Sequence, residues 1–240
     1  MEQSLIVKEL DSMKKKRRGW LVLVLLVALL AANGARLGEK PAELWNLLCT
    51  YTGFNAMEHG WNLVLVNREN RLPRRWNAEL TELSNGQSVD SRIYPSLQRM
   101  FDDMRAQGVY PVVASGFRTA EKQQQLMDDR VDGYLRQGYS GSEAAEEAKK
   151  WVAEAGFSEH QTGLAVDINA DGVHSAGHQV YAWLADHAWK YGFILRYPED
   201  KTALTGMDYE PWHYRYVGSE AAEEIYKTGV CLEEYVQTLP

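Results

Sequence analysis

The sequence predicts an α+β fold, a small antiparallel sheet flanked by helices, on three observations. Short runs of strand character (NLVLVN, VVASGF, LAVDI, FILRYP and HYRYV) are scattered through the 240 residues. They do not alternate one for one with helices, as a doubly wound sheet requires. The helical patterns between them are amphipathic, so each has one face to bury. Hydrophobic residues make up 45% of the chain and charged residues 25%, ordinary globular proportions, with no internal repeat.

Taken in order, the chain opens on a basic tail. Residues 1–18 carry six basic and three acidic side chains, leaving 20 basic and 30 acidic over the other 222, a net of −10. A body that acidic argues against nucleic acid as a partner. The tail ends in KKKRR and runs into GWLVLVLLVALLAANGA, residues 19–35, where Trp20 to Ala32 is unbroken apolar sequence. This predicts an N-terminal transmembrane helix kept as an anchor, with Trp20 at the interface and the basic cluster in the cytoplasm. The protein is then a single-pass cell-membrane protein with its main domain extracellular. Cleavage near Ala32-Asn33-Gly34 instead makes it a secreted one. Residues 36–60 read as a juxtamembrane connector, with a short helix opened by Pro41, and 61–240 as the main domain. The two cysteines, Cys49 and Cys231, are placed to form one disulfide if their Cα atoms approach, which spacing alone does not decide. With no CxxC pair, a cysteine-based zinc site is excluded.

Within the domain, NLVLVN (62–67) predicts the first strand. SRIYPSLQRMFDDMRAQG sets Leu97, Met100, Phe101 and Met104 at helical spacing, with Gly108 as the stop. VVASGF returns as a strand. EKQQQLMDDRVDGYLRQG predicts a second helix, and Ser140 with Glu143 forms a capping box for a third. LAVDI is a strand, HQVYAWLADHAWKYG a helix burying Val180, Trp183, Leu184 and Ala188, and FILRYP and HYRYV two more strands.

Two stretches carry chemistry. In LAVDI the alternation of a strand sends Leu164, Val166 and Ile168 to one face and Ala165, Asp167 and Asn169 to the other. A carboxylate on a strand fit for burial needs a partner: a cation, an arginine, or the following turn. In YEPWHYRYV, Trp212, Tyr214 and Tyr216 face the core and His213 the opposite, polar layer. Glu210 lies three residues before His213, so both reach one site only if the chain bends at Pro211. His160, Asp167 and His213 together make a two-nitrogen, one-oxygen set suited to a single catalytic zinc with an open fourth position. Glu210 is then a spare carboxylate to take a proton from water. The competing H-x3-H pair, His174 and His178, sits where a loop enters a helix; His187 and His59 stand alone.

The order SGFRTAEKQ, SEHQTGLAVD, WLADHAWKYGFILRYP, EPWHYRYVG resembles the VanY-type D-alanyl-D-alanine carboxypeptidases, zinc peptidases of the bacterial cell wall, over roughly residues 61–218. The resemblance implies a hedgehog/D,D-peptidase-like fold and one Zn2+ per chain on His160, Asp167 and His213. It further implies Glu210 as catalytic base, Arg118 as the residue that stabilises substrate and the developing oxyanion, and Gln123 and Ser158 as substrate contacts. The implied substrates are peptidoglycan stem peptides ending in D-Ala-D-Ala. Phe117 and Thr119 stand where the family pattern has Tyr and Ser, and Ala155 where a proline is frequent. Three other readings remain: an L,D-carboxypeptidase, a wall endopeptidase, and a non-catalytic wall-binding module. A serine peptidase built on Ser12-Met13-Lys14-Lys15 and Lys227-Thr228-Gly229 is excluded, because the predicted membrane separates the halves and no S-D-N stands between.

Overall fold

The computed structural model describes residues 59–170 and 177–239. The predicted transmembrane segment, the connector helix, Cys49, His174 and the side chain of His178 lie outside the described residues. Among the described residues no helix is long and apolar enough to cross a membrane.

The centre is a four-stranded antiparallel sheet of β3 (Val113–Ser115), β4 (Ala165–Ile168), β5 (Phe193–Leu195) and β6 (His213–Tyr216), in spatial order β3-β4-β6-β5. A separate hairpin joins β1 (Leu80–Glu82) to β2 (Ser88–Asp90). The helices are α1 (Tyr94–Ala106), α2 (Ala120–Arg136), α3 (Gly141–Lys149), α4 (Gly177–His187), α5 (Thr202–Thr205), α6 (Ser219–Thr228) and α7 (Leu232–Thr238). This is the expected α+β architecture of small antiparallel sheets and helices. The Ser140–Glu143 capping box is present at the start of α3.

One face of the sheet is apolar. Leu164, Val166, Ile168, Phe193 and Tyr214 pack there against Leu97, Met100, Phe101 and Met104 of α1 and Val180, Trp183 and Leu184 of α4. Each such side chain contributes about 1.5–3 kcal/mol on burial, which fixes which face of β4 and β6 is left for chemistry. A second apolar cluster gathers Ile194, Val217, Ala222, Ile225, Leu232 and Tyr235 around α6 and α7.

Several elements differ from the sequence expectation. NLVLVN is not a strand: residues 61–63 form a 3-10 turn, 64–66 join no ladder among the described residues, and Asn67 begins a bend. Its alternation is real, with Val64 and Val66 in the first cluster and Leu63 and Leu65 against the second. However, the carbonyls of Asn62 and Val64 accept from the Arg215 guanidinium at 3.0 and 2.8 Å, so a side chain replaces the neighbouring strand. The β1–β2 hairpin was not anticipated, although its turn carries Asn85-Gly86, a strong hairpin signal. Helices α6 and α7 were not anticipated either. Lys227-Thr228-Gly229 is the end of α6, where Lys227 pairs with Glu223, the Thr228 hydroxyl donates to Glu224 O, and Gly229 takes the left-handed cap.

Candidate active site

Register assembles the site. Ser115 of β3, Asp167 of β4 and His213 of β6 are successive cross-strand partners, so they form one row on the polar face. Ala165, two residues before Asp167 on that face, is fully buried.

His160 comes from a 3-10 turn, Glu159–Thr162, closed by Gly163 at φ 75°. A Cβ at Gly163 would meet the Asp90 backbone at 3.0 Å, where Asp90 N–H donates to Gly163 O, so glycine lets this turn dock on β2. Gly116 serves the same end on the other side. A Cβ there would lie 2.2 Å from Ser88 O, and its own carbonyl accepts the His160 Nδ1–H at 2.8 Å. His160 therefore offers Nε2, which lies 3.2 Å from Asp167 Oδ2.

Pro211 and Trp212 form a turn in which His213 N–H donates to Glu210 O at 3.1 Å. This is the bend that regular strand geometry lacked, and it brings Glu210 Oε2 to 3.6 Å from His213 Nδ1. The same Nδ1 lies 3.0 Å from Asp167 Oδ1. His160, Asp167 and His213 are all buried, with one ligand atom each within 4.8 Å of the others.

The donor set fits a cation. Asp167 Oδ1 is buried with no hydrogen-bond partner among the described residues. A tetrahedral zinc with bonds of about 2.0–2.2 Å spans ligand atoms roughly 3.4 Å apart, and the Asp167 carboxylate lies 3.0 and 3.2 Å from the two imidazole nitrogens. Burial pushes the His160 imidazole down to about 4, Arg118 adding to the effect, so it is a neutral lone-pair donor. For Asp167, burial acts upward, but the two histidines outweigh it and hold the carboxyl well below its usual range. Burial lifts Glu210 to about 7, opposed by His213 and assisted by the Asp167 charge. A carboxylate that takes up a proton near neutral pH is tuned for proton transfer.

Arg118 sits at the strand-to-helix corner, its N–H donating to His160 O. Its guanidinium is already engaged: NH2 with Asp167 Oδ2 at 2.6 Å, Nε with Ser115 Oγ at 2.8 Å, and NH1 with Gln123 Oε1 at 3.4 Å. Of the partners that its sequence allowed, Asp167 has the arginine, and its carboxylate also lies beside two imidazoles. The Gln123 amide is fixed in turn by donation to Ala153 O at 2.7 Å. Ser158 is buried just before the His160 turn and makes no capping bond. A cleft of about 260 Å³ opens beside Arg118, lined by Trp76, Phe117, Thr119 and Gln161. His187 is not part of the site; its Nδ1 bonds Trp183 O and its ring stacks on Trp183.

Sequence reasoning missed a second layer behind His213. Glu159 Oε1 accepts from Arg196 Nε and Arg215 NH1, both at 2.8 Å. Arg196 also makes a two-pronged contact with Glu233 at 2.9 and 2.6 Å. Alternation along HYRYV does put Arg215 on the His213 face, but nothing in the sequence says that an arginine there is fully buried.

A profile of the family described as VanY: D-alanyl-D-alanine carboxypeptidase matches residues 86–219. A D-alanyl-D-alanine carboxypeptidase of Enterococcus faecalis strain V583 is 54% identical over 210 residues, 86% of this chain and 76% of the relative. Two solved structures are 58% identical. VanYB in complex with D-alanine-D-alanine has a TM-score of 0.72, covering 75% of this chain and 99% of that one. A mutant of the vancomycin resistance D,D-pentapeptidase VanY from a VanB-type cassette, in complex with Zn(II), has a TM-score of 0.71, covering 73% and 99%.

Proposed function

The chain belongs to the VanY family of D-alanyl-D-alanine carboxypeptidases, and from that premise we propose how its residues divide the reaction and where it takes place. It is a zinc-dependent D-alanyl-D-alanine carboxypeptidase. Zinc supplies Lewis-acid polarisation of a carbonyl and acidifies water. His160 through Nε2, His213 through Nδ1 and Asp167 through its carboxylate would hold it. The observation that carries this assignment is the buried Asp167 carboxylate between two imidazole nitrogens, Oδ1 at 3.0 Å from His213 Nδ1 and Oδ2 at 3.2 Å from His160 Nε2.

Glu210 takes the proton of the attacking water and returns it to the amine of the departing D-alanine as the amide bond breaks. Arg118 meets the terminal carboxylate or the developing oxyanion, with Gln123 holding its fork in place and Ser158 contacting the substrate. The substrates are peptidoglycan stem peptides ending in D-Ala-D-Ala. Incubation of such a peptide and its C-terminal amide with the zinc-loaded protein tests the assignment: the free acid is cleaved and the amide is not. Equal kcat/KM for the two means that no charge contact with the C-terminus exists, and that the enzyme is an endopeptidase.

The apolar run 19–35 anchors the chain in the cell membrane, the KKKRR flank holding the tail in the cytoplasm and the peptidase domain outside. Protease added to intact spheroplasts digests the domain. Protection until lysis reverses the orientation.

A further inference from the structure

We propose that Glu159 is a positioning residue of the metal centre: its carboxylate fixes the His213 ring with the proton on Nε2, so that Nδ1 is the atom offered to the metal. The inference rests on the reading of His213 as a ligand. Its starting point is a pair of buried atoms with no hydrogen-bond partner among the described residues, Glu159 Oε2 and His213 Nε2, facing each other at 3.6 Å. That is longer than a hydrogen bond, and among the described residues neither atom has a hydrogen-bond partner, so each is the polar group nearest at hand for the other.

The direction of the carboxylate is set from behind. Arg196 and Arg215 both donate to Oε1, which leaves Oε2 aimed at the imidazole. Both arginines are themselves immobilised. Arg196 is held by Glu233, whose Oε1 also accepts from Asn67 Nδ2 at 3.0 Å, and Arg215 by the carbonyls of Asn62 and Val64. Flanked by two guanidiniums, Glu159 is an ionised carboxylate, and an ionised carboxylate only accepts. The hydrogen between the two residues must therefore belong to Nε2. The lone pair is then on Nδ1, the nitrogen 3.0 Å from Asp167 Oδ1. The Tyr197 ring, 4.8 Å from the His213 ring, confines it further.

Two glutamates and two arginines balance in charge, so Glu159 directs geometry without adding net charge to the centre. His160 has the opposite arrangement, Nδ1–H to Gly116 O and Nε2 toward the Asp167 carboxylate at 3.2 Å. The two histidines present different nitrogens, each chosen by the acceptor behind it.

Long-range proton–nitrogen correlation spectra of the full-length, zinc-loaded protein test this directly. The expected pattern is one ring with Nε2–H and a metal-bound Nδ1, assigned to His213, and one with the reverse, assigned to His160. His213 protonated on Nδ1 overturns the inference and leaves the metal assignment standing. A wild-type chain that takes up no zinc overturns the metal assignment instead. In Glu159→Gln, zinc affinity measured by chelator competition falls about 10–100-fold. The absorption spectrum of the cobalt-substituted form shifts, and kcat falls while KM does not. A folded Glu159→Gln with wild-type zinc affinity and cobalt spectrum refutes the role; if that variant does not fold, the wild-type spectra decide alone.

Discussion

Two buried polar clusters share strand β6, one at His213 and one at Arg215 two residues on, and they differ in completeness. In the Arg215 cluster the guanidiniums of Arg196 and Arg215 and the carboxylate of Glu233 are paired at 2.6–3.0 Å. In the His213 cluster, among the described residues, Asp167 Oδ1 has no hydrogen-bond partner beyond its 3.0 Å approach to His213 Nδ1, and the Glu210 carboxylate lies 3.6 Å from that same nitrogen. The charges differ in the same sense. Arg196 and Arg215 balance Glu159 and Glu233, whereas Asp167 and Glu210 face Arg118 alone among groups named in the site. A polar cluster closed on itself gives rigidity; one left open by a full ligand's worth of contacts gives binding. Glu159 belongs to both, one oxygen in each.

The largest expected effect tests the open side. Glu210→Ala keeps zinc and fold, while kcat falls by about 10²–10⁴, the range for general acid–base catalysis. Zinc content by atomic absorption and a thermal melt accompany the kinetics. A large loss of stability or metal would make Glu210 structural and erase the contrast.

On the closed side, Arg196→Met should act on stability. It leaves Glu233 and Glu159 buried without a shared partner, and breaking a buried ion pair from one side costs about 3–5 kcal/mol. Urea unfolding measures it. A cost under about 1 kcal/mol would mean that the cluster is wet or adaptable.

The open cluster was far more legible in the sequence than the closed one, for a physical reason. Strand alternation placed Asp167 and His213 on the polar faces of two short strands, and the structure makes them cross-strand partners. The 3-10 turn that carries His160 and the Glu210 turn exceeded the alternation argument, and for Glu210 Pro211 marked where to look. Arg196, Arg215, Glu159 and Glu233 come from four separate segments, and a long charged side chain has the same pattern whether it is solvated or buried. NLVLVN shows the same limit from the other side, since its missing ladder depends on where Arg215 ends up. Among apolar residues the reading went furthest. Leu97, Met100, Phe101 and Met104 all reach the core, because 3.6-residue spacing and burial are one constraint.

The smallest effect concerns pH and separates charge from packing within the closed cluster. For Glu233, burial acts to raise the carboxyl, but the Arg196 guanidinium outweighs it and holds the group below its usual value of 4.5. The unfolded chain therefore takes up a proton near that value while the folded one does not. The stabilisation is complete above about pH 4.5 and is lost as pH falls below it, with a slope of at most about 1.4 kcal/mol per pH unit. Unfolding of metal-free Glu233→Gln should give a curve lower than wild type and parallel to it above that pH, and shallower below it. Glu159 and Asp167, whose carboxyls are also held low, contribute equally to both proteins and cancel in the difference. An unchanged acid slope would mean that Glu233 binds protons alike in both states. The grip of α7 on the site would then be packing by Leu232 and Tyr235, and Arg196 would owe its position to Glu159 alone.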